Sequence, residues 1–331
     1  MFSYLPLAGG MGLFLYGITL LGESLERAAG SRLPGILARA TRGRVRPMLL
    51  GLGVTSVIQS STAATVMAVG MVNGGLLPLE QAAAMILGAN IGTTATAWLL
   101  SLSGLSAAGR LPELFRPSGF SQLLVLAGGM LYLLGKTPQK KAKALLPLGF
   151  GLLFLGMTIM EQTLLPLSRL PAFRTAFLQV DSPLLCVLTG ALLTAAIQSS
   201  SASVGLLQAL ASTGLVPVSC ALPILLGQNI GTCTTVLLAA IGASSNARKA
   251  ALVHLYFNLI GAALFLLGIF GLRALGAIPF WNAPITRSGI SLFHTLFNLG
   301  STALLLPNLD CLLRLAEATA GGSKWKTPAP T

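Results

Sequence analysis

Charge is scarce in this chain, and each scarcity closes off a class of protein. Only 9% of the 331 residues are charged, against roughly 25% in a soluble domain, too few to cover a globule with solvated side chains. With 54% hydrophobic residues and a mean hydropathy of +0.81, the chain reads as an integral membrane protein. Acids are rarer still than bases, 8 against 21, which leaves a net charge of +13. A nucleic-acid partner would need those cations gathered on one face of a domain. Here they sit in short stretches between apolar runs, which argues for membrane topology instead. The two histidines and four cysteines (Cys186, Cys220, Cys233, Cys311) show no paired metal spacing, so neither a metal centre nor a disulfide is expected. The apolar runs lack the alternation of a porin strand and are rich in Leu, Ala and Gly, several approaching the ~20 residues that cross a bilayer as helix. An all-α polytopic fold is expected. The first apolar run has no charged segment before it and reads as a retained span.

What the chain does contain, and contains twice, is a polar word inside apolar surroundings. Ile58 to Val66 reads IQSSTAATV, and Ile197 to Gly205 reads IQSSSASVG. Gln59 and Gln198 differ by 139, and the same offset carries GANIGTT (Gly88 to Thr94) onto GQNIGTC (Gly227 to Cys233) and Gly12, Gly17 and Thr19 onto Gly151, Gly156 and Thr158. The chain is read as two copies of one unit.

Each unit holds three full crossings between equivalent points, and an odd number inverts the second copy. The expected organisation is an inverted repeat 1 over 1–135, with a re-entrant helical hairpin at 47–73 and a broken transmembrane helix at 76–102. A basic cytoplasmic linker, 136–143, follows. Repeat 2 spans 144–273 with its hairpin at 183–212 and broken helix at 215–242, then come an additional transmembrane helix within 274–309 and a cytoplasmic tail, 310–331. Each hairpin arm has about 12 residues, too few to cross alone. The cations agree: 15 of the 21 Lys and Arg fall on the side assigned to the cytoplasm (Glu23–Arg46, Lys136–Lys143, Ser244–Lys249 and the tail). The N-terminus is therefore expected outside and the C-terminus in the cytoplasm, in the cell's inner membrane.

A hairpin within a bilayer must break its helix at the tip, freeing N–H groups on one arm and carbonyls on the other. Ser60, Ser61 and Thr62 fall where the second arm begins, and Ser and Thr are favoured N-caps. A capped N-terminus suits an anion because its N–H groups converge with the positive end of the helix dipole. The carbonyls near Val57 and Ile58, with the Gln59 side-chain oxygen, could hold a small hard cation. The NIGT words are expected to break the following span in the same way, with Thr93 and Thr94 capping the resumed half and Asn229, Gly231 and Thr232 repeating the device. None of the four words contains Lys, Arg, Asp or Glu. A neutral site of this kind suits a carrier, since a fixed charge at bilayer depth is costly and would trap its opposite.

Paired QSS words, each followed about 30 residues later by GxNIGT, resemble the type II sodium-phosphate cotransporter family, including its bacterial members. The likeness covers about residues 5 to 305 and extends to a recurring HxxFN pattern at His254 and His294. Some bacterial relatives append a cytoplasmic helical domain; the matched stretch here holds none. The resemblance implies Na+-coupled transport of inorganic phosphate by a membrane carrier that is no enzyme and needs no cofactor besides the coupling ion. Phosphate is then expected at Ser60, Ser61, Thr62, Ser199, Ser200, Ser201, Thr93 and Thr232, and Na+ at Gln59, Gln198, Asn90, Asn229, Thr94, Ser60 and Ser199. The first motif departs from the family pattern at Thr62, which keeps the hydroxyl of the usual third Ser. Partners are phosphate, Na+ and the bilayer, and either a monomer or an oligomer fits. Rival readings are a carrier of sulfate or a dicarboxylate, a phosphate exporter, and an intramembrane hydrolase using Ser60 or Ser199 with His254 or His294. The hydrolase is disfavoured because catalysis needs one asymmetric nucleophile and base, not a duplicated pair. His254 and His294 are expected to bond across helices, and Glu80 and Glu161 to lie near helix ends.

Overall fold

The computed structural model describes residues 5–29, 43–102, 117–165 and 182–320. Among these residues the regular structure is helical apart from one bridge between Pro217 and Pro284. Among the described residues four helices are long and apolar enough to cross a membrane: Leu79–Ser101, Pro138–Leu164, Val218–Ala239 (in two joined pieces) and Ser245–Ala274. A fifth arises if Arg287–Leu305 and Leu309–Ala320, which meet at 86°, count as one bent span. The protein is thus an all-α membrane protein. The stretches 30–42, 103–116, 166–181 and 321–331 lie outside the described residues, and with them the loop cations Arg32, Arg39, Arg42, Arg110, Arg116, Arg169 and Arg174 and the tail's Lys324 and Lys326.

Both QSS words join two short helices. In the first copy α2 (Val45–Ile58) ends at Gln59 and α3 (Ser61–Asn73) begins after Ser60, before α4 (Leu79–Ser101). In the second copy α7 (Pro183–Ile197) and α8 (Ser200–Ala211) flank Gln198 and Ser199. Glycines set the packing. A Cβ on Gly88 would overlap the Met48 carbonyl, one on Gly92 would meet Leu52 O at 2.7 Å, and one on Gly51 would overlap the Met85 carbonyl. These contacts climb together along α2 and α4, so the two helices run parallel with their backbones touching, and α3 must carry the chain back between them. Gly227, Gly231 and Gly190 repeat the pattern against Val187, Ala191 and Ile224, joining α7 to α9 (Val218–Gly231). Small residues permit the close approach that holds helices together where no hydrophobic drive operates.

This corrects one expectation. The helix through GANIGTT is unbroken over all 23 residues of α4, and in the second copy the interruption shrinks to Thr232, itself in the right-handed helical region, between α9 and α10 (Cys233–Ala239). The glycines serve as contact points rather than breaks. The polar side chains bond back to their own helix: Asn90 Nδ2 donates to Ile86 O (2.9 Å), Thr93 Oγ1 to Ala89 O (3.2 Å), Thr94 Oγ1 to Ile91 O (2.7 Å), Asn229 Nδ2 to Leu225 O (2.8 Å) and Thr232 Oγ1 to Asn229 O (2.5 Å). Such bonds satisfy the hydroxyls and amides without ending the helix.

Two helices at equivalent places in the copies meet directly. α1 (Leu5–Ala29) and α6 (Pro138–Leu164), with α5 (Pro117–Leu134) against α6, enclose a core of Phe14, Leu21, Leu153, Met157 and Met160. A Cβ on Gly17 would meet Gly149 O at 2.8 Å, and one on Gly10 would meet Gly156 O at 3.1 Å. Gly149 and Gly156 are Gly10 and Gly17 moved by 139, so the contact is reciprocal and α1 runs antiparallel to α6. Towards the C-terminus α11 (Ser245–Ala274) packs on α3 and α4, α12 (Arg287–Leu305) on α4, and α13 (Leu309–Ala320) on α11. Arg44 ties α13 to the first copy: Nε donates to Glu80 Oε1 (2.8 Å) and Nη2 to Asp310 Oδ1 (2.7 Å). Glu161, near the end of α6, pairs with Arg287 at 2.5 Å.

Candidate functional site

Gln59 and Gln198 are the two non-glycine residues of positive φ among those described, at 60° and 56°. A left-handed residue with a side chain costs about 1–2 kcal/mol, and strain of this kind collects at functional sites. Here it occurs twice, 139 residues apart. The left-handed turn ends each first arm, with the Gln59 N–H donating to Thr55 O (2.7 Å) and the Gln198 N–H to Thr194 O (2.8 Å). The next residue is extended and starts the returning helix: Ser60 Oγ accepts from the Ala63 N–H (3.1 Å) and Ser199 Oγ from the Ala202 N–H (3.2 Å). The Ser caps expected at both tips are therefore present. The N–H groups of Ser61, Thr62, Ser200 and Ser201 lie in first turns, where no carbonyl of their own helix is available.

The two tips share one cavity of about 340 Å³. Gln59, Ser60, Thr62, Gln198, Ser199, Ser200 and Ser201 line it together with Leu15, Ile18, Thr19 and Glu23 of α1. Residues that stand 139 apart in the chain thus meet around a space able to take a small polyatomic ion. Ser61 is buried just behind the tip, on α3, and does not line it. Two helix N-termini direct positive potential at the cavity, and among the described residues no Lys or Arg lines it. The Gln59 amide is oriented from both ends: Nε2 donates to Ser56 O, and Oε1 accepts from Thr96 Oγ1 of α4 (3.0 Å).

The remaining expected ligands lie elsewhere. Asn90, Thr93, Thr94, Asn229 and Thr232 are buried in their helices and do not line the cavity. Asn229 Oδ1 instead meets His294 Nε2 at 3.2 Å, a contact across helices, while both ring nitrogens of His254 have no hydrogen-bond partner among the described residues, against the cross-helix bond expected of it. Thr19 and Glu23 were absent from the sequence-based set. They stand four apart on α1 and so on one face, but nothing local marks that face as the one that meets the tips. Glu23 is half-exposed and pairs with Arg27 at 3.3 Å, placing a carboxylate at the cavity edge. Buried bonds brace the second tip from behind: Thr194 Oγ1 donates to Ser203 Oγ (2.7 Å) and Gln228 Nε2 to Ser203 O (2.9 Å). A larger cavity, about 780 Å³ between α9, α11 and α12, has an almost wholly apolar lining that includes Leu264, Phe265 and Phe293.

The profile of the Na+/Pi-cotransporter family matches residues 13–162 and 172–280. The chain belongs to the Na+/Pi-cotransporter family. Both tips and both NIGT words fall inside the matched segments. YqeW of Bacillus subtilis, an uncharacterised protein, is 30% identical over 91% of this chain and 93% of its own length. YjbB of Escherichia coli K12, provisionally named for inorganic phosphate export, is 26% identical over 96% of this chain, which spans 56% of that relative. Sodium-dependent phosphate transport protein 2C of Homo sapiens is 45% identical over 87 residues, 25% of this chain and 14% of its own. No solved structure matches.

Proposed function

We propose that the protein is a secondary active transporter that couples Na+ entry to the movement of inorganic phosphate by alternating access, with phosphate held between the two QSS tips. The observation that carries this reading is the shared cavity: two left-handed glutamines turn the chain so that two Ser-capped helix N-termini line one small space. Phosphate is taken by the hydroxyls of Ser60, Thr62, Ser199, Ser200 and Ser201 and by first-turn N–H groups, including that of Ser61. The N-terminal partial charges of the two helices favour an anion without an Arg clamp. Na+ is taken beside it by the Gln59 and Gln198 amide oxygens and the carbonyls ending the first arms, which lowers the cost of dehydrating the anion. No other cofactor enters the scheme. Asn90, Thr93, Thr94, Asn229 and Thr232 are assigned to support: they shape the helices against which the tip-bearing arms pack.

Alternating access follows from two inverted repeats. The support is the reciprocal glycine contact between α1 and α6, since equivalent helices that meet antiparallel are what a two-fold axis in the membrane plane generates. With 15 of the 21 Lys and Arg on one side, the N-terminus is outside, the C-terminus cytoplasmic and the hairpins re-entrant in this scheme. Support for Na+ and phosphate comes from the family and from relatives named for sodium-dependent phosphate transport. Export is the second reading, favoured by the name of YjbB. The test is radiolabelled phosphate flux in proteoliposomes with Na+, K+ or choline on one side and unlabelled sulfate or dicarboxylate as competitor. Uptake driven only by Na+ and blocked only by phosphate is expected. Flux indifferent to Na+ overturns the coupling, block by sulfate overturns the substrate, and efflux alone from loaded vesicles selects export.

A further inference from the structure

Two of the four cysteines, unpaired by any spacing in the sequence, face each other in the fold. Cys186 in the first turn of α7 and Cys220 in the first turn of α9 are both buried, with Sγ···Sγ at 3.1 Å. From the structure we infer that Cys186 and Cys220 are a redox-convertible pair whose disulfide staples the first arm of the second hairpin to the helix packed beside it.

The geometry is suited to the bond. A disulfide needs its two Cα atoms within about 7 Å and its sulfurs about 2.05 Å apart, so the side chains must close by about 1 Å. The backbones are already drawn together: one turn further along both helices, a Cβ on Gly190 would overlap the Ile224 carbonyl. Both helices start at neighbouring points, α7 after the Ser182 cap and α9 after Pro217. Cys186 and Cys220 stand in the first turns of helices that begin at Pro183 and Val218, so the buried pair lies at a helix end. In the first copy the positions 139 residues earlier are Pro47 and Gln81, so the staple belongs to one copy alone.

In the reaction each thiol loses its proton and one electron, an S–S bond forms, and a disulfide-bearing oxidant takes up both, its own S–S bond opening to two thiols. The side on which this occurs rests on the topology proposed above. There α7 and α9 begin at the outer face, the compartment in which disulfides persist. The staple leaves the Gln198 tip free while fixing its arm to the helix that carries the second NIGT word.

The pair is tested on the full-length protein in detergent. Native protein is treated with diamide, unfolded in SDS and alkylated with maleimide, so that every remaining thiol is counted. The count is expected to fall from four to two, with a Cys186–Cys220 peptide found by mass spectrometry and reversal by dithiothreitol. Cys186→Ser should keep its three thiols through the same treatment. Four free thiols after diamide, or a cross-link through exposed Cys311 instead, overturns the pairing. A second arm quenches intact cells with acid and maleimide. Pairing in cells is expected. A pair found reduced in cells yet oxidised in detergent refutes the outward placement, and with it the proposed topology, while the contact itself stands.

Discussion

The left-handed glutamines allow a test in which the sign of the result carries the information. Gln59→Ala and Gln59→Gly remove the same amide, and with it the bonds to Ser56 O and from Thr96 Oγ1, so those losses cancel when the two variants are compared. What remains is the backbone. At φ 60° alanine keeps the left-handed penalty of about 1–2 kcal/mol, which glycine escapes, and after glycine's larger chain entropy the Gly variant should be the more stable by about 1 kcal/mol. Were the chain helical through Gln59, the order would reverse, because glycine costs about 1 kcal/mol more than alanine inside a helix. The two geometries thus differ by about 2 kcal/mol, well within the resolution of equilibrium unfolding in mixed micelles. The same pair of substitutions at Gln198, φ 56°, should give the same order. All four variants should lose Na+-driven phosphate flux while remaining folded. Alanine variants more stable than glycine at both sites would refute the turned tip, and normal flux in all four would refute the site.

Ser60→Asp keeps a good helix cap but sets a negative charge in the cavity; unfolding stability should stay within about 1 kcal/mol while phosphate flux is lost, whereas Ser60→Ala should lose about 1 kcal/mol of capping as well as flux. Gly88→Ala, whose Cβ would overlap the Met48 carbonyl, should cost about 1–3 kcal/mol by forcing α2 from α4; Gly53→Ala, with nothing within 4 Å of the new atom, should be neutral or slightly stabilising by the same denaturation assay. Arg287→Ala strands Glu161 in a partner site only 24% exposed and should cost about 3 kcal/mol, partly restored by adding Glu161→Gln, while Arg27→Ala, whose partner Glu23 is 45% exposed, should change stability by less than about 1 kcal/mol.

Sequence and structure agree where the signal is local. The capping serine at each tip is legible in QSS between two short apolar runs, because a cap is built from the residue and its next three neighbours, whereas the left-handed glutamine before it is seen only in the fold. They disagree at GANIGTT. Gly88 and Gly92 carry the same absence of a side chain whether they end a helix or admit another, and only the presence of Met48, Leu52 and Thr55 across the contact selects packing. Asn90, Thr93 and Thr94 likewise have polar groups that can cap a break or bond back one turn, and the continuous helix takes the second option.

Composition by itself determined the class of the protein, and the QSS words the capping serines of the two tips, since hydropathy and caps are properties of neighbouring residues along the chain, while the 139-residue offset is read by aligning the sequence with itself and needs no contact in space. The tertiary structure alone decided that Thr19 and Glu23 of α1 join the two tips around their cavity, that Cys186 meets Cys220, and that Arg44 reaches Asp310. Each of these joins positions brought together by helix packing, and which faces pack is set by the summed contacts of whole helices, a quantity that no short stretch of residues contains.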